Sequence, residues 1–170
     1  MRNLILVAAI LVALAAPSAH AQSSASGKVA KPISAKKFDA LAERALAAMR
    51  QRAGELNVSG VAIVSYAPGS TIQGWTSRMA VVGRMKDEPT ATSKGNNLIG
   101  IAYAKSAEMA DTLQNSGTAT RPPMTGEFGW QGGVVGKAKS GYVIVAFSGG
   151  KSEDDVQVSK SGLAVLQPAL

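Results

Sequence analysis

Cysteine is absent from this 170-residue chain, and its single histidine, His20, lies close to the N-terminus. Imidazole and thiolate groups are the usual protein ligands of zinc and copper, and they also serve as catalytic bases and nucleophiles. Without cysteine no disulfide can form, so stability has to come from packing and from assembly. The composition therefore argues against most zinc, copper and thiol chemistry.

The first 21 residues have the pattern of a secretory signal peptide. Arg2 precedes an apolar run from Leu4 to Ala16, and the small-residue segment Ala19-His20-Ala21 follows it. The apolar run is shorter than the roughly 20 residues that span a bilayer. We expect residues 1–21 to be removed together with the histidine, leaving a periplasmic or secreted protein with no stable membrane anchor.

The remaining chain is predicted to be a flexible leader followed by a single domain. Residues 22–32 are rich in Ser, Ala and Lys and show no hydrophobic period, whereas residues 33–170 have the size of one domain. The full chain carries 18 basic and 11 acidic residues. Because most basic residues are spread along the chain without interleaved aromatics, we predict no nucleic-acid partner.

Hydrophobic periodicity predicts an alternation of helices and short strands. We expect helices from Ala35, capped by Ser34, to about Glu55, from Leu98 to about Asn115, and from Glu153, capped by Ser152, to about Leu166. Strands are predicted at Val58–Tyr66, Val134–Ala138 and Tyr142–Phe147. The segment between the first two of these supplies one strand or two, at Thr71–Arg78 and Met79–Met85. Sequential strands joined by short turns favour an α/β (α+β) domain with a mainly antiparallel sheet of about five strands flanked by helices.

The central strands are apolar on both faces, as Gly60–Val64 and Tyr142–Phe147 show. A two-layer domain covers only one face of its sheet, so another layer is needed on the second face. Self-association would supply that layer, and we therefore predict a homo-oligomer.

Lys105 is the least expected residue of the second helix, because it falls on the main apolar arc between Leu98 and Ile101. In one interpretation its stem packs while its ammonium extends outward, for instance toward Glu108. In the other, the cation faces a pocket and holds a carboxylate ligand such as a haem propionate.

Tyrosine and methionine supply the remaining candidates for a cofactor. The oxygen of Tyr66, Tyr103 or Tyr142 could ligate ferric haem, although tyrosines also pack with a polar tip. Methionine could serve as a softer axial ligand or fill gaps in a core. The predicted cofactor-binding residues are Lys105, Tyr103, Met109 and Met124, and no catalytic residue is predicted.

The segment Ser148-Gly149-Gly150 precedes three acidic residues, Glu153, Asp154 and Asp155. The acids favour the positive end of a helix, and their spacing is not that of a calcium loop, so no metal site is predicted. The glycine turn could cradle an anion with its N–H groups, unless Ser152 and Asp155 already satisfy those donors.

Three segments together resemble the GlcG/HbpS-like haem-binding family, also called haem-degrading or DUF336 domains. They are ISAKKFDALAERALAAMRQRA from Ile33, IAYAKSAEMADTL from Ile101, and GGVVGKAKSGYVIVAFSGGKSEDDVQVSKSGLAVL from Gly132. The resemblance implies a profilin-like sheet flanked by helices, oligomeric assembly and, in some members, haem binding. The chain departs from the family in the turn Ala67-Pro68-Gly69-Ser70 and in lacking a histidine within this region, so an imidazole-ligated member is no guide to haem ligation here.

Three hypotheses for function follow. The first is an exported, oligomeric haem-binding or haem-handling protein without a dedicated catalytic centre. The second is an oligomeric binding or accessory module for a sensor or enzyme. The third is an enzyme acting on a small organic acid, with the glycine-rich loop Gly117–Gly133 forming a pocket beside Lys105.

Overall fold

A computed structural model describes residues 33–170. The predicted signal peptide at residues 1–21 and the predicted leader at residues 22–32 lie outside the described residues. The helices are α1 (Ala35–Glu55), α2 (Leu98–Thr112) and α3 (Ser152–Leu166), and a short 3-10 helix follows at Gln167–Ala169. The strands are β1 (Gly60–Pro68), β2 (Thr76–Val82), β3 (Lys86–Asp87), β4 (Asn96–Asn97), β5 (Gly133–Ala138) and β6 (Gly141–Ser148).

The main sheet is antiparallel throughout, in the order β2-β1-β6-β5. Its two central strands, β1 and β6, pair from Val61 opposite Ser148 to Pro68 opposite Gly141. Strands β3 and β4 form a separate two-stranded ribbon. The prediction of a mainly antiparallel sheet flanked by helices is thus confirmed, with four strands in the main sheet instead of about five.

Helix α1 follows its sequence pattern closely. The hydroxyl of Ser34 accepts a hydrogen bond from the backbone N–H of Lys37 at 3.3 Å, which caps the first turn as predicted. The buried residues of α1 are those of the predicted apolar arc, Phe38, Leu41, Ala42, Ala45, Leu46, Met49 and Ala53. Within residues 33–170, none of the helices has the length and apolar character needed to span a bilayer.

Two local details differ from the sequence prediction. The segment Thr71–Met85 holds one strand, β2, which was one of the two alternatives, and it crosses the expected boundary because Arg78 and Met79 pair in continuous register with β1. Ser152 does not cap α3, which has Lys151 at its N-cap position and no side-chain capping bond. Asp155 accepts a hydrogen bond from the N–H of Gly150, which precedes the helix.

Helices cover both faces of the sheet, which makes the fold three layers deep. Helices α1 and α3 pack on the face that carries Val64, Val145 and Phe147. Helix α2 packs on the opposite face, where its residues Leu98, Ile101 and Ala102 contact Val61 and Ile63 of β1. The premise of the oligomer prediction was therefore wrong, because α2 of the same chain covers the second apolar face.

Truncating Ile101 tests the contact between α2 and the sheet. Ile101 is 4% exposed, so Ile101→Ala should lower the free energy of unfolding by about 2–4 kcal/mol in urea denaturation. Ile99→Ala, at a half-buried neighbour on the same helix, is the control and should cost less. Equal effects of the two substitutions would contradict the packing described here.

Candidate functional site

A cleft of about 120 Å³ lies where β6 ends and α3 begins. Side chains from α2, from the loop before β5 and from the β3–β4 ribbon complete its walls. The lining residues are Asp87, Asn96, Leu98, Ile101, Lys105, Trp130, Gln131, Ser148, Gly149, Gly150, Ser152 and Asp155. The cleft therefore collects residues from five separate segments of the chain.

A buried ion pair between Lys105 and Asp155 forms the base of this cleft. The Lys105 Nζ atom lies 2.9 Å from Asp155 Oδ2 and donates a second hydrogen bond to the Phe147 carbonyl oxygen, also at 2.9 Å. Both residues are only 3% exposed. The interpretation in which the Lys105 ammonium extends outward into solvent was therefore wrong, because the ammonium is directed toward a carboxylate inside the protein.

The pair joins two helices that lie on opposite faces of the sheet. Lys105 belongs to α2 and Asp155 to α3, and they meet beside Gly132 at the end of the β5–β6 pair. A Cβ atom on Gly132 would lie 2.2 Å from Lys105 Nζ and 2.9 Å from Asp155 Cβ, and the Gly132 φ of +136° also disfavours other residues. The absence of a side chain at Gly132 is what gives the two charges room to meet.

The second carboxylate oxygen of Asp155 fills the anion cradle that the sequence suggested. Asp155 Oδ1 accepts a hydrogen bond from the Gly150 N–H at 2.8 Å, and the Gly149 N–H also contributes. The turn thus binds an anion that the chain itself provides. The alternative in which Asp155 satisfies the donors of the glycine turn is thus the one observed, while Ser152 does not cap the helix. The place of Asp155 on the buried face of α3 is visible from its spacing with Val158, Ser159, Gly162 and Leu166.

Burial and ion pairing have opposite effects on the pKa values of Lys105 and Asp155. Removal from water lowers the pKa of Lys105, while the charge of Asp155 and, less strongly, that of Glu108 oppose this effect. Removal from water likewise raises the pKa of Asp155, opposed by Lys105 and by the glycine N–H groups. Each group therefore depends on the other to remain charged in the interior.

Arg84 fixes the glycine turn to the rim of the cleft. Its guanidinium donates to the carbonyl oxygens of Gly149 at 2.7 Å and Ser59 at 2.6 Å, and to Asp87 Oδ1 at 2.8 Å. Hydrogen bonds from Asn96 and then from Arg84 lower the pKa of Asp87, so this lining carboxylate stays ionised at neutral pH.

The glycine-rich loop Gly117–Gly133 is ordered by its own ion pairs. Arg121 binds Glu127 at 2.7 Å and Asp111 of α2 at 2.7 Å. The hydrogen bond from Arg121 is the main reason why the pKa of Glu127 falls to about 2. Further along the loop, Trp130 lines the cleft, and its ring centroid lies 4.9 Å from that of Phe128.

The four predicted cofactor-binding residues do not converge on one place. Lys105 lines the cleft, whereas Tyr103 is half-buried beside the cluster of Val61 and Ile63. Met109 is fully buried against β6, and Met124 is 53% exposed in the loop. Their role in cofactor binding stays a prediction. Within residues 33–170, no group of three or more acidic or histidine side chains is close enough to hold a metal ion.

The phenolic oxygens of the other two tyrosines lie in different surroundings. Tyr66 is 3% exposed, and its hydroxyl donates to the carbonyl oxygen of Ser140 at 3.0 Å. Tyr142 is half-buried on β6. The Tyr66 hydroxyl therefore already bonds to the hairpin turn between β5 and β6.

The fold is shared with two solved structures. Klebsiella pneumoniae protein ORFY, of the family DUF336, is 18% identical with a TM-score of 0.50, over 74% of this chain and 87% of its own. The PduOC protein, solved in complex with haem, is 15% identical with a TM-score of 0.51, over 79% of this chain and 95% of its own. No family model matches the sequence, and no curated protein matches it either. These likenesses establish the fold, and they agree with the resemblance to DUF336 domains found in the sequence.

Removing either partner of the buried pair should be much more harmful than removing both. Lys105→Met or Asp155→Leu alone leaves an uncompensated charge in the interior and should cost about 3–5 kcal/mol in chemical denaturation. The double variant should lose far less than the sum of the two. As a control, breaking the exposed pair Arg78–Asp39 should cost less than about 1 kcal/mol. Additive losses at Lys105 and Asp155 would contradict a coupled pair.

Proposed function

We propose that this chain is an exported, oligomeric protein that binds or handles haem without a dedicated catalytic centre. The observation that carries the proposal is the fold shared with PduOC, which was solved as a haem complex and is covered over 95% of its length. The three sequence segments that resemble haem-binding DUF336 domains support it independently. Export is supported by the signal-peptide pattern of residues 1–21.

Haem requires a site other than the cleft. Pockets that enclose drug-sized ligands measure about 300–1,000 Å³, whereas the cleft measures about 120 Å³. A larger, open cavity of about 450 Å³ lies against the glycine-rich loop, and Ala119, Pro122, Pro123 and Gly129 contribute to its walls. The volume of this cavity falls within that range, and its walls are partly apolar, since Glu108, Thr120 and Arg121 also line it.

Met124 is the predicted ligand that is nearest in sequence to the walls of this cavity, although it does not line the cavity itself. It follows the lining residue Pro123 directly, and 53% of the residue is exposed, so binding an iron through its sulfur would not require the side chain to leave the core. Met109 is fully buried, and the Lys105 ammonium already binds Asp155. We therefore assign axial ligation to Met124 within this proposal.

Self-association is supported by apolar side chains that remain exposed at one edge of the main sheet. Strand β2 is an edge strand, and its residue Val81 is 45% exposed. Trp75, directly before β2, is 37% exposed, and Met85, shortly after it, is 49% exposed. A second copy of the chain against this edge would remove these side chains from water.

One experiment tests both haem binding and self-association. Ferric haem is titrated into the haem-free protein, and the mixture is then analysed on a sizing column with light scattering. We expect a saturable shift of the Soret band at micromolar protein and co-elution of haem with a species larger than one chain. Absence of a saturable shift would reject haem binding. A monomeric mass at all concentrations would reject the oligomer.

Substitution of Met124 tests the assigned ligand. Met124→Ala should weaken haem binding at least about fivefold and change the Soret spectrum, because an axial ligand is lost. Leu113→Ala is the control, since Leu113 is also an exposed apolar residue, at 37%, and lies outside both the loop and the edge of β2. Equal haem affinities for the two variants would reject axial ligation by Met124.

A further inference from the structure

Ser148 is a buried hydroxyl residue without a hydrogen-bond partner in the described protein. It is the last residue of β6, it is 3% exposed, and it lines the cleft. Its Oγ atom is not among the fully buried unpaired side-chain atoms of the described residues, which are Asp39 Oδ1 and Ser65 Oγ. The Ser148 hydroxyl is therefore accessible from the cleft and can bond to a ligand there.

Lys105 offers a second donor at the base of the same cleft. An ammonium group has three N–H bonds, and two of them are directed to Asp155 Oδ2 and to the Phe147 carbonyl oxygen. The third has no acceptor within residues 33–170. Because Lys105 also lines the cleft, this donor is available to a ligand.

The first turn of α3 adds backbone donors to the third side of the cleft. Lys151 occupies the N-cap position but makes no capping bond through its side chain. Asp155 accepts its hydrogen bond from the N–H of Gly150, which precedes the helix. The backbone amides of Ser152 and Glu153 therefore have no acceptor within the described residues. Ser152 lines the cleft, and free amides at a helix start favour a negatively charged ligand.

The size and the charge of the cleft limit which anion can enter. An apolar cavity of about 150 Å³ accommodates benzene, which has six heavy atoms, so about 120 Å³ suits a ligand of about four or five heavy atoms. Asp155 already balances the Lys105 charge, and Arg84 is paired with Asp87, which also lines the cleft. These groups leave no net positive charge to balance a dianion, whereas a monoanion can be held by the free donors.

We propose that the cleft is a binding site for a small monocarboxylate of two or three carbon atoms. Its carboxylate accepts hydrogen bonds from Ser148 Oγ, Lys105 Nζ and the first amides of α3. Its short alkyl part lies against the apolar wall that Leu98 and Ile101 provide. This site shares no lining residue with the proposed haem cavity, and carboxylate binding there does not depend on haem.

Titrations followed by amide chemical shifts test whether the cleft binds a small monocarboxylate. The haem-free protein is titrated with acetate, propionate, phosphate and sulfate. Acetate and propionate should produce saturable shifts at Gly149, Gly150 and Ser152, while phosphate and sulfate should not. Ser148→Ala should weaken propionate binding about tenfold, because a hydrogen bond to a charged group is lost.

Ser65→Ala is the matched control for Ser148→Ala. Ser65 lies on the neighbouring strand β1, is fully buried, and its hydroxyl also lacks a partner within the described residues, but it does not line the cleft. Neither substitution should reduce thermal stability, since each removes an unpaired hydroxyl, and Ser65→Ala should bind propionate as the unmodified protein does. The proposal is overturned if neither carboxylate gives saturable shifts, if phosphate or sulfate is preferred, or if the two variants bind propionate equally.

Discussion

The buried pair of Lys105 and Asp155 is the contact on which the rest of the domain depends. It joins helices from opposite faces of the sheet, and its hydrogen bonds also engage the end of β6 and the glycine turn. The residues around it are constrained in consequence, since Gly132 must lack a side chain and Arg84 holds the turn in place. A charged group in a protein interior is stable only when an opposite charge is paired with it. The packing of all three layers therefore depends on this one ion pair.

Sequence patterns predicted the parts of this fold that are determined locally. The apolar arc of α1 and the Ser34 cap follow from residues within one helix, and the β5–β6 hairpin follows from neighbouring segments. The coverage of the second sheet face by α2 depends on how distant elements pack. Hydrophobic periodicity within a single segment does not show which sheet face a helix covers. For the same reason the partner of Lys105 could not be identified, because Asp155 lies 50 residues further along the chain.

The candidate site was predicted only in part. The sequence pattern identified Lys105 and the glycine turn as candidates, but it did not identify Asp155 as the partner of Lys105. Lys105 was singled out as a cation that does not belong on an apolar arc, and it does line a cleft. The glycine turn was recognised as a binding site for an anion unless Asp155 satisfied its donors, and Asp155 does satisfy them. The cleft of about 120 Å³ and the open cavity of about 450 Å³ differ in volume, and the two proposed ligands are therefore assigned to different places.

The pairing of β1 with β6 has a consequence for the order in which the protein folds. Val61, near the start of the described chain, lies opposite Ser148, near its end, so the centre of the sheet can form only when almost the whole sequence is present. Contacts between such distant segments form slowly because a long loop must first be closed. A chain emerging from the ribosome can therefore form α1 early, but it has no completed sheet until residues 141–148 have been synthesised.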